Sequence, residues 1–376
     1  MKDQRNETLA RILLTYSVDL QPGEKIMLDI RGKDTLELAR EVIRQVAELG
    51  GVPFWYYDDY SLLRPWMRGA SEEQLEVFGQ LHLKLMKEMD AWLLLHGPDN
   101  PFDLADVDST QLQLFQKLYS GPVHLQERVK NTKWCILNYP TDSLAQLAEM
   151  SREAFEDYYY EVCCLDYAGM SRAMDPLVER MERTDQVRIV APGTDLTLSI
   201  KGIPAVKCDG KENIPDGEVF TAPVRDSVNG HIRFNVPLLE RGLVFRDIEL
   251  EFRDGKVVQA SCQGNAQALN DVLDVDEGAR YTGEFALGVN SLIVRPMKDA
   301  LFDEKIAGSI HLALGNCGKE APNGNESAIH WDIVLDQRRE QGGGELYFDG
   351  ELVRQDGRFV DKKLENSLSA EALRYR

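Results

Sequence analysis

The sequence from residue 25 to residue 57 reads KIMLDIRGKDTLELAREVIRQVAELGGVPFWYY and contains a strand, a helix and a second strand. Residues 25–30 form an apolar strand-like run. Residues 35–49 carry apolar side chains at helical spacing before Gly50 and Gly51 end the segment. Residues 52–57 form the second strand-like run. A helix between two such strands is typical of a parallel sheet whose faces are covered by helices.

The same alternation continues to about residue 183. Residues 91–96 and 133–139 are further apolar strands with helical segments between them, and Ser71 and Gln74 have the spacing of a capping box. The first part of the chain is therefore predicted to be an α/β domain with a parallel sheet. A GxGxxG or Walker-type loop follows none of these strands, so the sequence gives little support to nucleotide binding.

From residue 186 the sequence changes to short strands and tight turns. Residues 187–190 and 196–200 are predicted strands, and residues 247–260 are a predicted hairpin that turns at Asp254 and Gly255. We therefore predict two domains, an α/β domain over residues 1–185 and a β-rich α+β domain over residues 186–376.

Composition narrows the possible partners. The 376 residues are 43% hydrophobic, enough for a large buried core, and carry a formal net charge of −20. An acidic chain without a cluster of lysine and arginine is a poor match for nucleic acid or an anionic membrane. The charged first residues lead into an amphipathic helix, and no apolar run approaches the length of a membrane span, so a cytoplasmic location is expected. The six cysteines lack paired spacing and are expected to be reduced thiols.

A histidine and an aspartate lie two residues apart in the strand-like run of residues 327–335. The period of two in a strand puts His330 and Asp332 on one face, and Ile329, Trp331 and Ile333 on the other. The pair can therefore share one metal ion, although pairs of this kind also occur in strands for purely structural reasons.

Three further residues add to this pair. His311 interrupts an apolar strand bracketed by glycines, and on its own it is more consistent with a core imidazole bonded to a backbone carbonyl. Glu218 and Glu284 each follow a glycine at the edge of an apolar run. Burying a lone carboxylate is costly, and the neighbouring sequence offers few basic residues to pair with them. Together the five residues are the types that a pair of divalent metal ions needs.

Four segments match one family in the same order. The segment around Glu218 and the segments with Glu284, His311 and His330 closely resemble the signature region of the M29 metallo-aminopeptidases, the aminopeptidase T/S group, over residues 213–230, 283–290, 308–315 and 327–335. The resemblance extends upstream to residues 193–198 and 153–158 and so covers most of the chain. Four ordered motifs are far more specific than any one of them.

The resemblance implies an exopeptidase that binds two divalent metal ions, zinc, cobalt or manganese, and removes single residues from peptides with a free N-terminus. Its ligands would be Glu218, Glu284, His311, His330 and Asp332, and the two glutamates would also serve catalysis. Two such ions would hold a hydroxide, polarise the scissile carbonyl and anchor the amino group. Mixed nitrogen and oxygen donors suit these metals. The family also implies a homodimer. All five ligands lie in the β-rich α+β domain over residues 186–376, which is therefore the predicted metal-binding domain, and the first domain is expected to cover or shape the substrate cleft.

The chain departs from the family pattern at one position. Family members carry a tyrosine seven residues after the first metal histidine, proposed to assist catalysis, whereas Gly318 stands there in this chain. No tyrosine occurs in residues 315–325. Either Lys319 or a tyrosine from elsewhere, such as Tyr281, replaces it, or stabilisation of the transition state is weaker. Loss of one such donor typically costs about two to three orders of magnitude in rate.

Three functions therefore remain open from the sequence. A metal-dependent aminopeptidase accounts for all five ligands. A metal-dependent hydrolase of a non-peptide amide would use the same ions with a different pocket. The missing tyrosine supports a third possibility, a non-catalytic homologue of a peptidase that is stabilised by metal. Serine catalysis is disfavoured because the sequence lacks a nucleophile-elbow motif.

Overall fold

The computed structural model describes residues 3–240 and 243–368, except for the side chain of Lys363. The helices are α1 (Gln4–Ile12), α2 (Leu36–Glu48), α3 (Tyr60–Gly69), α4 (Glu72–Met86), α5 (Ser109–Phe115), α6 (Val129–Asn131), α7 (Asp142–Leu147), α8 (Arg152–Cys163), α9 (Tyr167–Glu182), α10 (Ala266–Leu273), α11 (Ala300–Asp303) and α12 (Lys362–Ser367). Segments of π-helix follow α1 at Leu13–Ser17 and α5 at Gln116–Arg128. Within the described ranges, no helix is long and apolar enough to cross a membrane.

The strands are β1 (Lys25–Arg31), β2 (Val52–Asp58), β3 (Ala91–His96), β4 (Lys133–Asn138), β5 (Gln186–Ala191), β6 (Thr194–Ser199), β7 (Val206–Cys208), β8 (Asn213–Ile214), β9 (Glu218–Thr221), β10 (Asn229–Phe234), β11 (Leu238–Glu240), β12 (Leu243–Arg253), β13 (Lys256–Gln263), β14 (Thr282–Gly288), β15 (Ser309–Gly315), β16 (His330–Asp336), β17 (Glu345–Phe348), β18 (Glu351–Gln355) and β19 (Arg358–Phe359).

The chain divides into two compact units. The first extends to Cys164 and includes Gly210–Ile214, and the second comprises Leu165–Asp209 and the chain from Pro215 onward. Helix α9 belongs to the second unit, where the Lys207 ammonium of β7 lies 2.6 Å from the Asp175 carboxylate of α9. The predicted domain boundary after residue 185 therefore does not coincide with the division between the units. That the first domain shapes the cleft stays a prediction.

The strands of the first unit form a parallel sheet in the order β2-β1-β3-β4-β8. Every interior position of β1 is buried, as expected for a strand covered on both faces. Helix α2 ends in a Schellman motif, in which the Gly50 N–H donates to the Ala47 carbonyl at 3.2 Å and the Gly51 N–H donates to the Val46 carbonyl at 2.9 Å. Gly50 has a φ of +79°, which favours glycine. The prediction of a parallel α/β sheet is confirmed.

The strand order of this sheet reverses beside β1. The chain passes from β1 through α2 to β2 on one side, and then through α3 and α4 to β3 on the other. Helix α4 begins with the predicted capping box, in which the Gln74 N–H donates to Ser71 Oγ at 3.3 Å and the Ser71 N–H donates to Gln74 Oε1 at 2.9 Å. Met86 of α4 packs with Met27 and Trp92 of the sheet. Helix α4 therefore covers the face of the sheet that carries Met27.

The second unit contains two antiparallel sheets. One has the order β11-β12-β10-β6-β5-β17-β18-β19, with β13 paired to β12, and the other has the order β16-β15-β14-β9-β7. The predicted hairpin turn joins β12 to β13 at Asp254 and Gly255, whose φ angles of +47° and +80° suit an Asp-Gly turn. The chain thus combines a parallel α/β region with an antiparallel β-rich region. We call the sheet β16-β15-β14-β9-β7 the five-stranded antiparallel sheet.

Candidate metal centre

The register of the five-stranded antiparallel sheet puts the five candidate ligands on one face. Directly paired residues share a face, and so do residues two apart along a strand. His311 of β15 pairs with Ala286 of β14 and with Val334 of β16, and these partners lie two residues from Glu284 and Asp332. Glu218 of β9 pairs with Gly288, which lies two residues from Ala286, and His330 lies two residues from Asp332. The candidate ligands that share the face of His311 are therefore Glu218, Glu284, His330 and Asp332.

The opposite face of this sheet is apolar and anchors the strands. Phe285, Leu312 and Ile333 on that face are fully buried. Trp331 packs edge-on against Phe245, with the ring centroids 5.4 Å apart. The predicted alternation is confirmed from His330 to Leu335, whereas residues 327–329 of the predicted run precede the strand.

A β-bulge places Glu284 on its strand. The pairing register of β14 with β15 shifts at Gly283. A Cβ atom at this position would lie 2.3 Å from the carbonyl oxygen of Asn316, so the close approach of the two strands requires glycine. Bulges often lie beside functional sites, where they redirect a side chain. The side chain that follows this bulge is Glu284.

Glu284 and Asp332 each lie near both histidines. Glu284 Oε1 is 3.0 Å from His311 Nε2, and Glu284 Oε2 is 3.7 Å from His330 Nε2. Asp332 Oδ1 is 3.8 Å and 3.4 Å from the same two nitrogens. A carboxylate that reaches two imidazoles in this way can bridge two closely spaced cations.

Glu218 has a cationic partner that the sequence did not reveal. Its Oε1 lies 2.6 Å from Lys305 Nζ, which is also 2.7 Å from Glu304 Oε1 and 3.4 Å from Asp216 Oδ1. The neighbouring sequence offers few basic residues, and the partner comes instead from a position 87 residues further along the chain. Lys305 is 1% exposed, yet it follows α11 in a charged segment whose pattern is that of a solvent-exposed turn, so no sequence signal indicated its burial.

The donor atoms on this face fit divalent cations. Glu218 Oε2, His311 Nδ1 and Asp332 Oδ1 are buried and have no hydrogen-bond partner among the described residues, although buried polar atoms nearly always have one. Ligand atoms of Glu284, His311 and Asp332 lie within 4.8 Å of one another, and so do those of Glu218, Glu304 and His311. Mixed imidazole and carboxylate donors at this spacing suit zinc, cobalt or manganese.

The carboxylates keep both histidines protonated in the metal-free protein. Burial lowers the pKa of His311, but Glu218, Glu284 and Asp332 outweigh this effect and raise the pKa to about 9. Burial likewise lowers the pKa of His330, and Asp332 and Glu284 together hold that pKa well above its usual range. Protons and metal ions therefore compete for the same imidazole nitrogens.

Metal binding should consequently release protons at pH 7. With a pKa of about 9, His311 must lose a proton to bind an ion, and His330 behaves in the same way. Below these pKa values we expect the apparent metal affinity to rise about tenfold per pH unit for each displaced proton, with the contribution of His311 ending above pH 9. Calorimetric titration in buffers of different ionisation enthalpy counts the protons. Binding at pH 7 without proton release would contradict a role for these nitrogens.

Lys319 and Tyr281, the two candidates for the role of the missing tyrosine, stay predictions. Lys319 is exposed, and the Arg225 guanidinium lies 3.7 Å from the ring centroid of Tyr281. Across residues 3–240 and 243–368, neither side chain forms a hydrogen bond or ion pair with the five candidate ligands. A Cβ atom at Gly318 would lie 3.5 Å from the ring of Phe220, which shares the face of the ligands. Position 318 is therefore beside the candidate centre although it carries no side chain.

Three carboxylates and two imidazoles lie on one largely buried face of the five-stranded antiparallel sheet. They define a candidate centre for divalent metal ions in the β-rich part of a protein that also contains a parallel α/β sheet. A family model described as "Thermophilic metalloprotease (M29)" matches residues 2–359. The chain belongs to this family, as the four sequence motifs indicated.

Similar proteins span nearly the whole chain. Aminopeptidase 2 of Geobacillus stearothermophilus is 27% identical over 93% of this chain and 94% of its own. Aminopeptidase AmpS of Bacillus subtilis is 24% identical over 94% of this chain and 96% of its own. The solved structure of wild-type AmpT from Thermus thermophilus shares the fold, with a TM-score of 0.80 at 23% identity over 95% of this chain and 99% of that chain.

The same fold occurs in a protein named for different chemistry. The structure of 2,5-dihydroxypyridine dioxygenase from Pseudomonas putida KT2440 has a TM-score of 0.60 at 12% identity, over 97% of this chain and 99% of that chain. Since one fold can carry several activities, function has to be argued from the site.

Proposed function

We propose that this protein is a metal-dependent aminopeptidase that uses two divalent ions. The observation that carries the proposal is the position of Glu284, whose two oxygens lie 3.0 Å and 3.7 Å from the Nε2 atoms of His311 and His330. Membership of a metalloprotease family and similarity to proteins named aminopeptidases support it. The proposed ligands are Glu218, Glu284, His311, His330 and Asp332.

The side chains of this face have distinct roles in the proposal. Two bound ions would supply Lewis-acid polarisation of a peptide carbonyl and a lowered pKa for a water molecule. Glu284 and Asp332 reach both imidazoles and would hold the two ions close together. Lys305 bonds to Glu218 Oε1 and leaves Oε2 for an ion, which fixes the carboxylate in one orientation. Lys305, which is 1% exposed, is therefore a buried positioning residue.

The absence of a side chain at Gly318 favours a second candidate, a homologue that binds metal without turnover. A hydrolase of non-peptide amides would also use the same ligands. Activity on a panel of amino-acid amides, measured as purified, after chelation and after zinc, cobalt or manganese is restored, separates these functions. We expect chelation to abolish hydrolysis and metal to restore it. Metal binding without any hydrolysis of the panel would favour the non-catalytic homologue.

Hydrolysis should require a free α-amino group. In the proposed reaction a bound ion or a cleft carboxylate anchors the amino group of the substrate, and acetylation removes its charge and its donors. We expect kcat/KM for an acetylated amino-acid amide to be about 10- to 100-fold lower than for the free form. Equal turnover of the two substrates would point instead to a general amide hydrolase.

A cytoplasmic location and a homodimer belong to the same proposal. The net charge of −20 argues against nucleic acid as a partner, and similarity to aminopeptidases supports peptides as substrates. Light scattering of the purified protein tests the dimer.

A further inference from the structure

The first unit contains a cavity of about 470 Å³, and all of its lining residues belong to that unit. The cavity lies at the carboxyl ends of two strands, because Arg31 ends β1, Asp58 ends β2, and these two residues are paired in register. Open α/β sheets bind small molecules outside the carboxyl ends of their strands. The volume is in the usual range for small-molecule sites.

Arg31 presents a guanidinium that is already held in place. Its Nε and Nη2 atoms donate to the two carboxylate oxygens of Asp29 at 2.9 Å and 2.8 Å. Asp29 is fully buried and also accepts a hydrogen bond from Tyr56 Oη at 2.6 Å. The Nη1 atom of Arg31 makes no hydrogen bond to any described residue. A fixed guanidinium with uncommitted donors is suited to a carboxylate ligand.

Asp58 supplies the opposite charge beside it. One oxygen accepts a hydrogen bond from the Asp59 N–H at 2.8 Å, and the other has no hydrogen-bond partner in the described part of the chain. Arg31 and Asp58 form no ion pair with each other in that part, so Arg31 Nη1 and the second oxygen of Asp58 remain available to a ligand. Burial raises the pKa of Asp58, and a cation placed beside the carboxylate would relieve the cost of that burial.

The rest of the cavity wall is largely aromatic. Trp66 of α3 and Phe78 of α4 pack with ring centroids 4.7 Å apart, and Phe115 and Tyr119 continue the wall at the same spacing. The ring centroids of His82 and Phe78 lie 4.2 Å apart. Burial lowers the pKa of His82, so the imidazole is neutral at pH 7. Such a wall favours a flat or large apolar group.

We propose that this cavity binds a free amino acid with an aromatic or large apolar side chain. The ligand's carboxylate pairs with Arg31, its ammonium pairs with Asp58, and its side chain contacts the wall around Trp66. A guanidinium and a carboxylate side by side match both charges of a zwitterion, and a ligand that lacks either charge leaves one of them unpaired. The inference does not depend on the proposed hydrolysis, although its ligand has the chemistry of an aminopeptidase product.

The first test is a calorimetric titration of the full-length protein with L-phenylalanine. N-acetyl-phenylalanine lacks the ammonium, phenylalaninamide lacks the carboxylate, and glycine lacks the side chain. We expect L-phenylalanine to bind and each of the other three to bind about 10- to 100-fold more weakly. Equal binding of the acetylated or amide form, or no binding of L-phenylalanine, would overturn the proposal.

Substitutions in the cavity wall test whether L-phenylalanine binds in this cavity. Asp58→Asn keeps the shape and should weaken L-phenylalanine about 10- to 100-fold without further weakening N-acetyl-phenylalanine. Glu73→Gln removes an exposed carboxylate of α4 outside the cavity and should change nothing. Trp66→Leu should weaken L-phenylalanine more than L-leucine, which provides a second measurement if Asp58→Asn does not fold. Unchanged binding in folded Asp58→Asn would exclude this cavity.

The candidate metal centre could also bind an amino acid, so the titration is repeated with Glu284→Gln, which alters that centre. We expect L-phenylalanine binding to persist there. Loss of binding in Glu284→Gln would place the ligand at the metal centre and overturn the proposal. Failure of the hydrolysis assay would leave this result unaffected, so the two proposals fail separately.

Discussion

Replacing Glu284 by glutamine is expected to slow hydrolysis severely and to lower the occupancy of both proposed metal ions. The two carboxylate oxygens of Glu284 lie near His311 Nε2 and His330 Nε2, so one substitution would weaken both proposed ion positions. Glutamine keeps the shape of the side chain beside the bulge at Gly283 but carries no charge. We expect kcat/KM to fall by about three orders of magnitude. Elemental analysis after dialysis gives the occupancy, and steady-state kinetics gives the rate.

A terminal ligand and an exposed glutamate provide the comparison. His330→Ala should lower the occupancy of one ion more than that of the other, because His330 lies at the exposed end of the centre. Glu340→Gln changes an exposed glutamate after β16 and should leave both occupancy and rate unchanged. Full occupancy of both ions in Glu284→Gln would refute the assignment of this residue as a ligand.

Replacing Lys305 by methionine is expected to lower the free energy of unfolding of the metal-free protein by about 3–5 kcal/mol. Lys305 is 1% exposed, and its ammonium lies within 3.4 Å of three carboxylates, those of Asp216, Glu218 and Glu304. Methionine fills a similar volume but leaves these groups without this cation in a buried site. Urea unfolding in the presence of a chelator measures the change.

An exposed lysine is the matched control for this substitution. Lys319→Met should change the free energy of unfolding by less than about 0.5 kcal/mol, because the side chain lies at the surface. Adding a divalent metal should restore part of the stability of Lys305→Met, since an ion bound at Glu218 brings positive charge to the same carboxylate. Equal stability of Lys305→Met and the unsubstituted protein would show that the buried cation contributes little.

The parallel sheet was predictable because its signals are local. The apolar run of β1 and the glycines after α2 act within a few residues, and the Schellman motif at Gly50 depends on them directly. The limits of the compact units depend on contacts between distant residues. Helix α9 belongs to the second unit and lies beside β7, where Lys207 forms an ion pair with Asp175. The change in residue composition near residue 186 does not reveal this ion pair.

The candidate site was likewise predictable where its signals lie within one strand, and not where they depend on contacts between distant residues. The placement of His330 and Asp332 on one face follows from the period of a single strand. Their approach to Glu284 depends on the pairing of separate strands and on the register shift at Gly283. Lys305 escaped the sequence analysis because polarity patterns treat a charged segment as exposed, whereas a buried lysine is recognised only with its partners.

The order of the strands in the five-stranded antiparallel sheet also bears on how the protein matures. The candidate ligands come from β9, β14, β15 and β16, between residues 218 and 332, and pairing across such separations closes long loops, which slows folding. In the unfolded chain only His330 and Asp332 are neighbours. A multidentate site therefore exists only once the sheet has formed, unlike small zinc domains in which the ion nucleates the fold. The chain should fold first and acquire metal afterwards, so a shortage of metal would leave a folded, inactive pool that later supply can activate.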